Sequence, residues 1–184
     1  MLENENNTRQ EYIRSVALQM MAAARTAPKS RGVDNLEITV ATGETKDTLA
    51  TRMEELAPVT GHQFFVRDAG NIRKAGAVVL IGTRIGVMGL DCGFCGFATC
   101  AEKLDKELVP CVFNTNDMGI AVGSAVSKAA DCRVDSRVMY SAGFVAIEMG
   151  LIPGCTAVLA IPVSVSGKSP FFDRPSVVTP PISE

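Results

Sequence analysis

The sequence predicts a single mixed α/β layered domain, and three observations carry that prediction. Its 184 residues supply one substantial core and leave little for a second. Segments with helical apolar spacing alternate along the chain with short β-branched segments, an order that packs as stacked layers. Ala77-Val78-Val79-Leu80-Ile81 is a continuous apolar run, the pattern of a strand covered on both faces.

Taken in order, Thr8-x-x-Glu11 reads as a capping box opening a long first helix. Tyr12, Ile13, Val16, Met20 and Ala24 follow at helical spacing as one apolar stripe, and Pro28 predicts an end near Ala27. Residues 36–41 alternate and read as a strand. Residues 45–56 read as a helix ended by Pro58 and Gly61. After the 77–81 strand and a cysteine segment, Asp117 is the predicted N-cap of a helix running to Ala130. Its buried face is Met118, Ala121, Val122, Ala125 and Ala129, while Gly119 and Gly123 would let another backbone approach closely. Residues 136–149 read as a helix apolar almost all round, hence central or at a subunit interface. A strand over 156–161 closes the domain, and the tail from Pro162 is rich in Ser, Gly and Pro. No repeat or linker divides residues 1–184.

Composition removes several function classes. The net charge of −2, with no Lys/Arg block, gives no electrostatic case for nucleic acid. The absence of Trp and an aromatic content of 5% argue against stacking platforms for single strands. The longest apolar stretch, 75–90, is broken by Arg84 and by glycines and is too short for a bilayer, so no membrane partner is expected. The first residues resemble neither a secretory signal nor a transit peptide, so a cytoplasmic location is expected. In a reducing compartment, six cysteines mean metal ligands, redox thiols or core residues rather than disulfides. The single histidine, His62, reads as a surface or helix-start residue and makes histidine-based zinc sites and hydrolase relays poor candidates.

The chemistry concentrates in residues 86–115. Cys92-Gly-Phe-Cys95-Gly-Phe-Ala-Thr-Cys100 places three thiols within nine residues. The two-residue gap lets one tight loop present two sulfurs, and Gly93 and Gly96 permit positive φ beside them. Thr99-x-x-Glu102 forms a second capping box, which would put Cys100 at the first position of a helix, where a thiolate is favoured. Thiolates are the ligands of iron–sulfur clusters, so Cys92, Cys95, Cys100 and Cys111 are the candidate ligands of a 4Fe–4S cluster. A helix from Cys100 to Leu108 would run roughly 12 Å away from such a centre. The three residues 109–111 span at most about 10 Å in return. The helix must therefore be short or bent if Cys111 is the fourth ligand; otherwise Cys132 or Cys155 takes that place. Structural zinc also uses four cysteines, but usually as two short-spaced pairs, and the second pair is missing here. A thioredoxin-like Cys92-x-x-Cys95 pair would leave Cys100 and Cys111 unused. Cys132 and Cys155, alone in apolar surroundings, read as buried small hydrophobes.

The segment from Cys92 to Glu102 resembles the four-cysteine 4Fe–4S motif of corrinoid iron–sulfur proteins and of a membrane electron-transport subunit, which place the fourth cysteine further along. A second resemblance spans nearly the whole chain. Residues 23–30 (AAARTAPKS without its first alanine), 114–125 (NTNDMGIAVGSA) and 161–174 (IPVSVSGKSPFFDR) resemble a family known as ferredoxin-domain proteins of unknown function. The first and last of these stretches are also similar to flavin-dependent nitroreductases, α+β proteins that dimerise around FMN. The resemblance implies an α+β, nitroreductase-like fold with an iron–sulfur insert, a homodimer, and an FMN site. The basic Arg-Ser motif that those enzymes carry ahead of the first helix is here Thr8-Arg9-Gln10. Arg25, Lys29, Arg31, Lys168 and Arg174 are the candidates to supply the phosphate charge instead, with Gly167 allowing close backbone approach. Each alone also reads as an ordinary solvated basic residue.

Three functions follow as expectations. The first is a 4Fe–4S redox protein exchanging single electrons with a partner protein that the sequence does not name; Asp91 beside the cluster would lower its potential. The second is an FMN-dependent oxidoreductase using the cluster as a relay. The third is a zinc-bound interaction module, which metal removal would unfold. No nucleophile elbow, Walker loop or dinucleotide fingerprint is present, and no pattern names a substrate.

Overall fold

The alternation in the strand over residues 77–83 decides how the layers assemble. In this computed structural model, which describes residues 1–172, four strands form one antiparallel sheet. They are β1 (Leu36–Ala41), β2 (Ala77–Thr83), β3 (Asp135–Ser136) and β4 (Ala157–Ser164), in the order β1-β2-β4-β3. Ala77, Val79 and Ile81 of β2 join one hydrophobic cluster, while Val78 and Leu80 join another. Successive side chains of a strand point to opposite faces, so one wholly buried strand serves two cores.

The first core lies under α1 (Glu5–Thr26) and the long helix over Val112–Asp131. Ile13, Val16, Ala17, Met20 and Ala24 of α1 meet Met118, Ala121, Val122, Ala125 and Ala129, the face predicted for that helix. Two cross-links hold the pair: Ser124 Oγ donates to Ala23 O at 2.8 Å, and the Tyr12 hydroxyl to Cys132 O at 2.8 Å. The opposite face of the sheet is covered by α2 (Gly43–Thr60), α3 (Phe64–Lys74) and a helix over Tyr140–Glu148. With α4 (Cys100–Leu104) intervening, the two later helices are α5 (Val112–Asp131) and α6 (Tyr140–Glu148). The result is a helix–sheet–helix sandwich.

Several expectations are corrected here. Helix α1 starts at Glu5, capped by Asn4, whose side chain accepts from Asn6 N; Thr8 lies inside it, and its hydroxyl donates to Glu5 O. Tyr12 is 46% exposed, outside the buried stripe. Helix α2 runs through Pro58 to Thr60 and is ended by Gly61 alone, in the left-handed conformation. Pro58 lies in the last turn, where its missing N–H leaves Glu54 O without its intrahelical donor, and the helix ends only two residues later. The helix α3 has no counterpart among the predicted elements. Asp117 is not an N-cap but lies inside α5, which begins five residues earlier. Residues 136–139 are not helical, because they pair with β4: Ser136 stands opposite Val163, and Met139 bridges Ala160. β4 continues through Pro162 to Ser164. Pro162 carries its carbonyl on the β3 side, where it accepts from Arg137 N, so its missing N–H falls where pairing is already sparse. Gly119 and Gly123 face open space within one chain, whereas at Gly143 in α6 the backbone of β4 comes close.

Residues 84–111 leave the sheet between β2 and α5 and contribute nothing to either hydrophobic cluster. Their neck is closed by Arg84 N donating to Asn35 O at 2.9 Å and by Gly86 N donating to Asn114 Oδ1 at 3.0 Å.

Candidate metal centre

The excursion brings together the thiols that the sequence singled out. Cys92, Cys95, Cys100 and Cys111 all line one pocket, walled by apolar side chains including Met88, Phe97 and Phe113. Gly93 and Gly96 both adopt positive φ (71° and 87°), and Gly96 N donates to Gly93 O at 2.9 Å, closing the turn that carries Cys92 and Cys95. Thr99 caps α4 as predicted, its hydroxyl accepting from Glu102 N at 3.1 Å. The Glu102 carboxylate reaches back to Ala98 N at 3.1 Å rather than to Thr99 itself. Helix α4 has only five residues, which meets the geometric condition for Cys111 to return. Cys111 is buried at the junction into α5, while the other three thiols are partly exposed.

Asp91 ties the two halves of the segment. Its N–H donates to Cys100 Sγ at 3.3 Å, and its carboxylate accepts from Cys100 N at 2.6 Å. An amide aimed at a cysteine sulfur is the kind of contact that stabilises a metal-bound thiolate. Among the described residues, no three His, Cys, Asp or Glu side chains gather round a single ion position. The four cysteines share the lining of one pocket. Cys132 and Cys155 are elsewhere: Cys132 follows α5 with its Sγ toward Gln19 (3.9 Å), and Cys155 is packed against Gly82. Burial pushes the Cys155 thiol up in pKa, with Arg84 opposing. His62 is exposed just before α3, its ring against Phe64 and Phe65.

The basic candidates divide into two groups. Arg25, in the last turn of α1, stands with Lys29 and Arg31 just beyond that helix. Arg25 donates to Asp34 Oδ2 at 2.8 Å and to Leu36 O at 2.9 Å; Lys29 donates to Ala24 O at 3.2 Å and to Arg25 O. Burial opposes ionisation of Asp34, but the hydrogen bonds from Arg25 and Leu36 N–H, with the charges of Arg25 and Lys29, hold its carboxyl below the ordinary value. Arg31, at φ 57°, donates to Met88 O at 2.6 Å and so touches the wall of the cysteine pocket. Gly167 and Lys168 follow β4 at the other end of the sheet, where Val163 pairs with Ala77, far from the Leu36–Thr83 end that Arg25 contacts. Arg174 lies outside the described residues. One chain therefore does not bring the two groups together.

Two features were not legible beforehand. Asp117, 4% exposed, accepts from Ser30 N (3.0 Å) and Ser30 Oγ (2.8 Å), pinning the basic loop to α5. Lys103, 2% exposed, lines the cysteine pocket. Its position three residues after Cys100, on one face of a helical turn, is the signal that would have found it.

A protein of Archaeoglobus fulgidus, described as uncharacterized, is 42% identical over 182 residues, covering 95% of this chain and 98% of that one. Residues 108–174 match the family of uncharacterized proteins containing a ferredoxin domain, a stretch that includes Cys111 and begins after Cys100. The chain belongs to this ferredoxin-domain family. Its fold is nitroreductase-like. Nitroreductase CinD from Lactococcus lactis, solved in complex with nicotinic acid, is 14% identical with a TM-score of 0.56, over 94% of this chain and 86% of that one. The FMN-dependent nitroreductase NfnB from Mycobacterium smegmatis, in complex with NADPH, is 12% identical with a TM-score of 0.57, over 84% and 78%. At such identities the likeness concerns the fold. No helix among the described residues is long and apolar enough to cross a membrane.

Proposed function

We propose that this ferredoxin-domain protein is a redox protein in which Cys92, Cys95, Cys100 and Cys111 hold a 4Fe–4S cluster. The observation that carries the reading is the common pocket of these four thiols, with the Asp91 amide donating to the Cys100 sulfur. A bound cluster would supply single-electron transfer with a partner protein. The chain's own part is to present the thiols, to exclude water with Met88, Phe97 and Phe113, and to fix Cys100 through Asp91. Protein purified without oxygen and reconstituted with iron and sulfide should be brown, absorb broadly near roughly 400 nm and carry about four irons per chain. Replacing any one of the four cysteines by serine should lower that content. Stoichiometric zinc in a colourless protein would refute the reading and favour the structural zinc module.

A second reading is favoured by Arg31, which joins the basic loop to the wall of the cysteine pocket. A flavin phosphate held by Arg25, Lys29 and Arg31 would lie beside the cluster, making this an FMN-dependent oxidoreductase with an internal relay. Gly167 and Lys168 would reach that site only from a second copy, which is the reason to expect a homodimer. Yellow chromophore released on denaturation would support it. Failure of FMN to raise the melting temperature of the cluster-loaded protein would count against it.

A further inference from the structure

Lys103 is the one feature of the cysteine pocket that thiol ligation does not explain. Its side chain is 2% exposed and lines the pocket with the four cysteines. Among the described residues its ammonium has no hydrogen-bond or ion-pair partner, and the little of the residue that is exposed leaves its tip some contact with solvent. Only its backbone is engaged, with Lys103 N donating to Thr99 O (3.2 Å) and Lys103 O accepting from Lys106 N (2.9 Å). Two carboxylates of the segment are engaged by backbone amides: Asp91 accepts from Cys100 N and Glu102 from Ala98 N. A charge with so little of its side chain in water is costly, and an opposite charge brought into the same pocket offsets that cost. The negative charges that line this pocket are its own thiolates and the Asp91 carboxylate, and of these the thiolates are the ones a bound centre would gather.

We propose that Lys103 is the internal counter-charge of the thiolate-held centre, raising its reduction potential by favouring the more negative, reduced form. The inference rests on the cluster reading above. Electrostatics in a pocket screened from water act strongly at short range, so the ammonium is placed to outweigh the exposed charges of the segment. Asp91 acts in the opposite sense.

The test is an anaerobic potentiometric titration of reconstituted full-length protein as parent, Lys103→Met and Lys103→Arg. Methionine keeps the length and apolar stem and removes the charge. At a fixed poise its ratio of reduced to oxidised centre should fall at least tenfold, a shift of about 59 mV for a one-electron couple. Lys103→Arg should stay near the parent. Melting of the metal-free proteins gives a second arm: without its uncompensated charge, Lys103→Met should be at least as stable as the parent. Loss of iron binding by Lys103→Met, with retention by Lys103→Arg, would also support the counter-charge. An unchanged potential at parental iron content would overturn the proposal and leave the cluster reading intact, as would a metal-free Lys103→Met protein that melts well below its parent. A parent that takes up no iron and sulfide would instead refute the cluster reading itself.

Discussion

Replacing Gly143 by alanine tests how hard α6 is pressed onto the sheet. A Cβ there would stand 2.0 Å from Val158 O and 2.6 Å from Val158 C. Unstrained heavy-atom contacts lie at about 3.5–4.0 Å. The obstacle is main chain, held by the pairing of Val158 with Gly82, so no side-chain rotation relieves it. Two effects oppose each other. Alanine gains up to about 1 kcal/mol in helix propensity over glycine. Overpacking costs about 1–3 kcal/mol where side chains can adjust, and the upper end applies when a strand must move. The net expectation is a loss of about 2 kcal/mol, or roughly 4–8 °C in the midpoint for a chain of this size. Thermal melts followed by far-UV circular dichroism measure it. Gly119→Ala is the matched control: the same change inside α5, with nothing within 4 Å, should gain about 0.4–1 kcal/mol. A Gly143→Ala midpoint at or above the parent's would refute the reasoning.

Other expectations are simpler. Asp117→Ala should cost about 1.5–3 kcal/mol in urea unfolding, because both Ser30 donors lose a charged acceptor. Ser141→Ala removes the hydroxyl that donates to buried Asp68 Oδ2 at 2.6 Å and should cost about 1–3 kcal/mol by the same assay. Asp34, with its folded pKa depressed, contributes stability above its unfolded value of about 3.9 and loses it as pH falls through the folded value. The advantage of the parent over Asp34→Asn should therefore shrink on acidification, by a small amount because solvent screens the partly exposed pair. Cys155, buried and raised in pKa, should resist iodoacetamide in native protein and react on unfolding, as mass spectrometry of the labelled peptide would show.

What the sequence showed follows from how local each signal is. β1 and β2 were readable because their periodicity reflects burial along a few consecutive residues, and the apolar part of the buried face of α5 was right, although Asn114 and Asp117 are buried with it. Helix α3 was missed although Phe65, Ala69 and Ile72 repeat at helical spacing; polar residues between them hid a narrow stripe. Asp117 looked like a cap because its side-chain type favours caps, yet its acceptors serve Ser30, 87 positions away. Residues 136–139 were drawn from helix into pairing by β4, a tertiary effect that no local window contains. At the candidate centre, the nine-residue cysteine run was plain, whereas the burial of Lys103 depends on how the short α4 folds back.

The closed neck at Asn35 and Asn114 has a bearing on assembly. Because both cores are complete without residues 84–111, the sandwich is able to fold before any metal enters the proposed centre. Emptying that centre should then loosen a tethered lobe, visible as faster amide exchange over 91–109, while the amides of β2 and β4 keep their protection. If the four cysteines hold the proposed cluster, maturation and folding are separable events, and a newly made chain is already shaped before iron arrives.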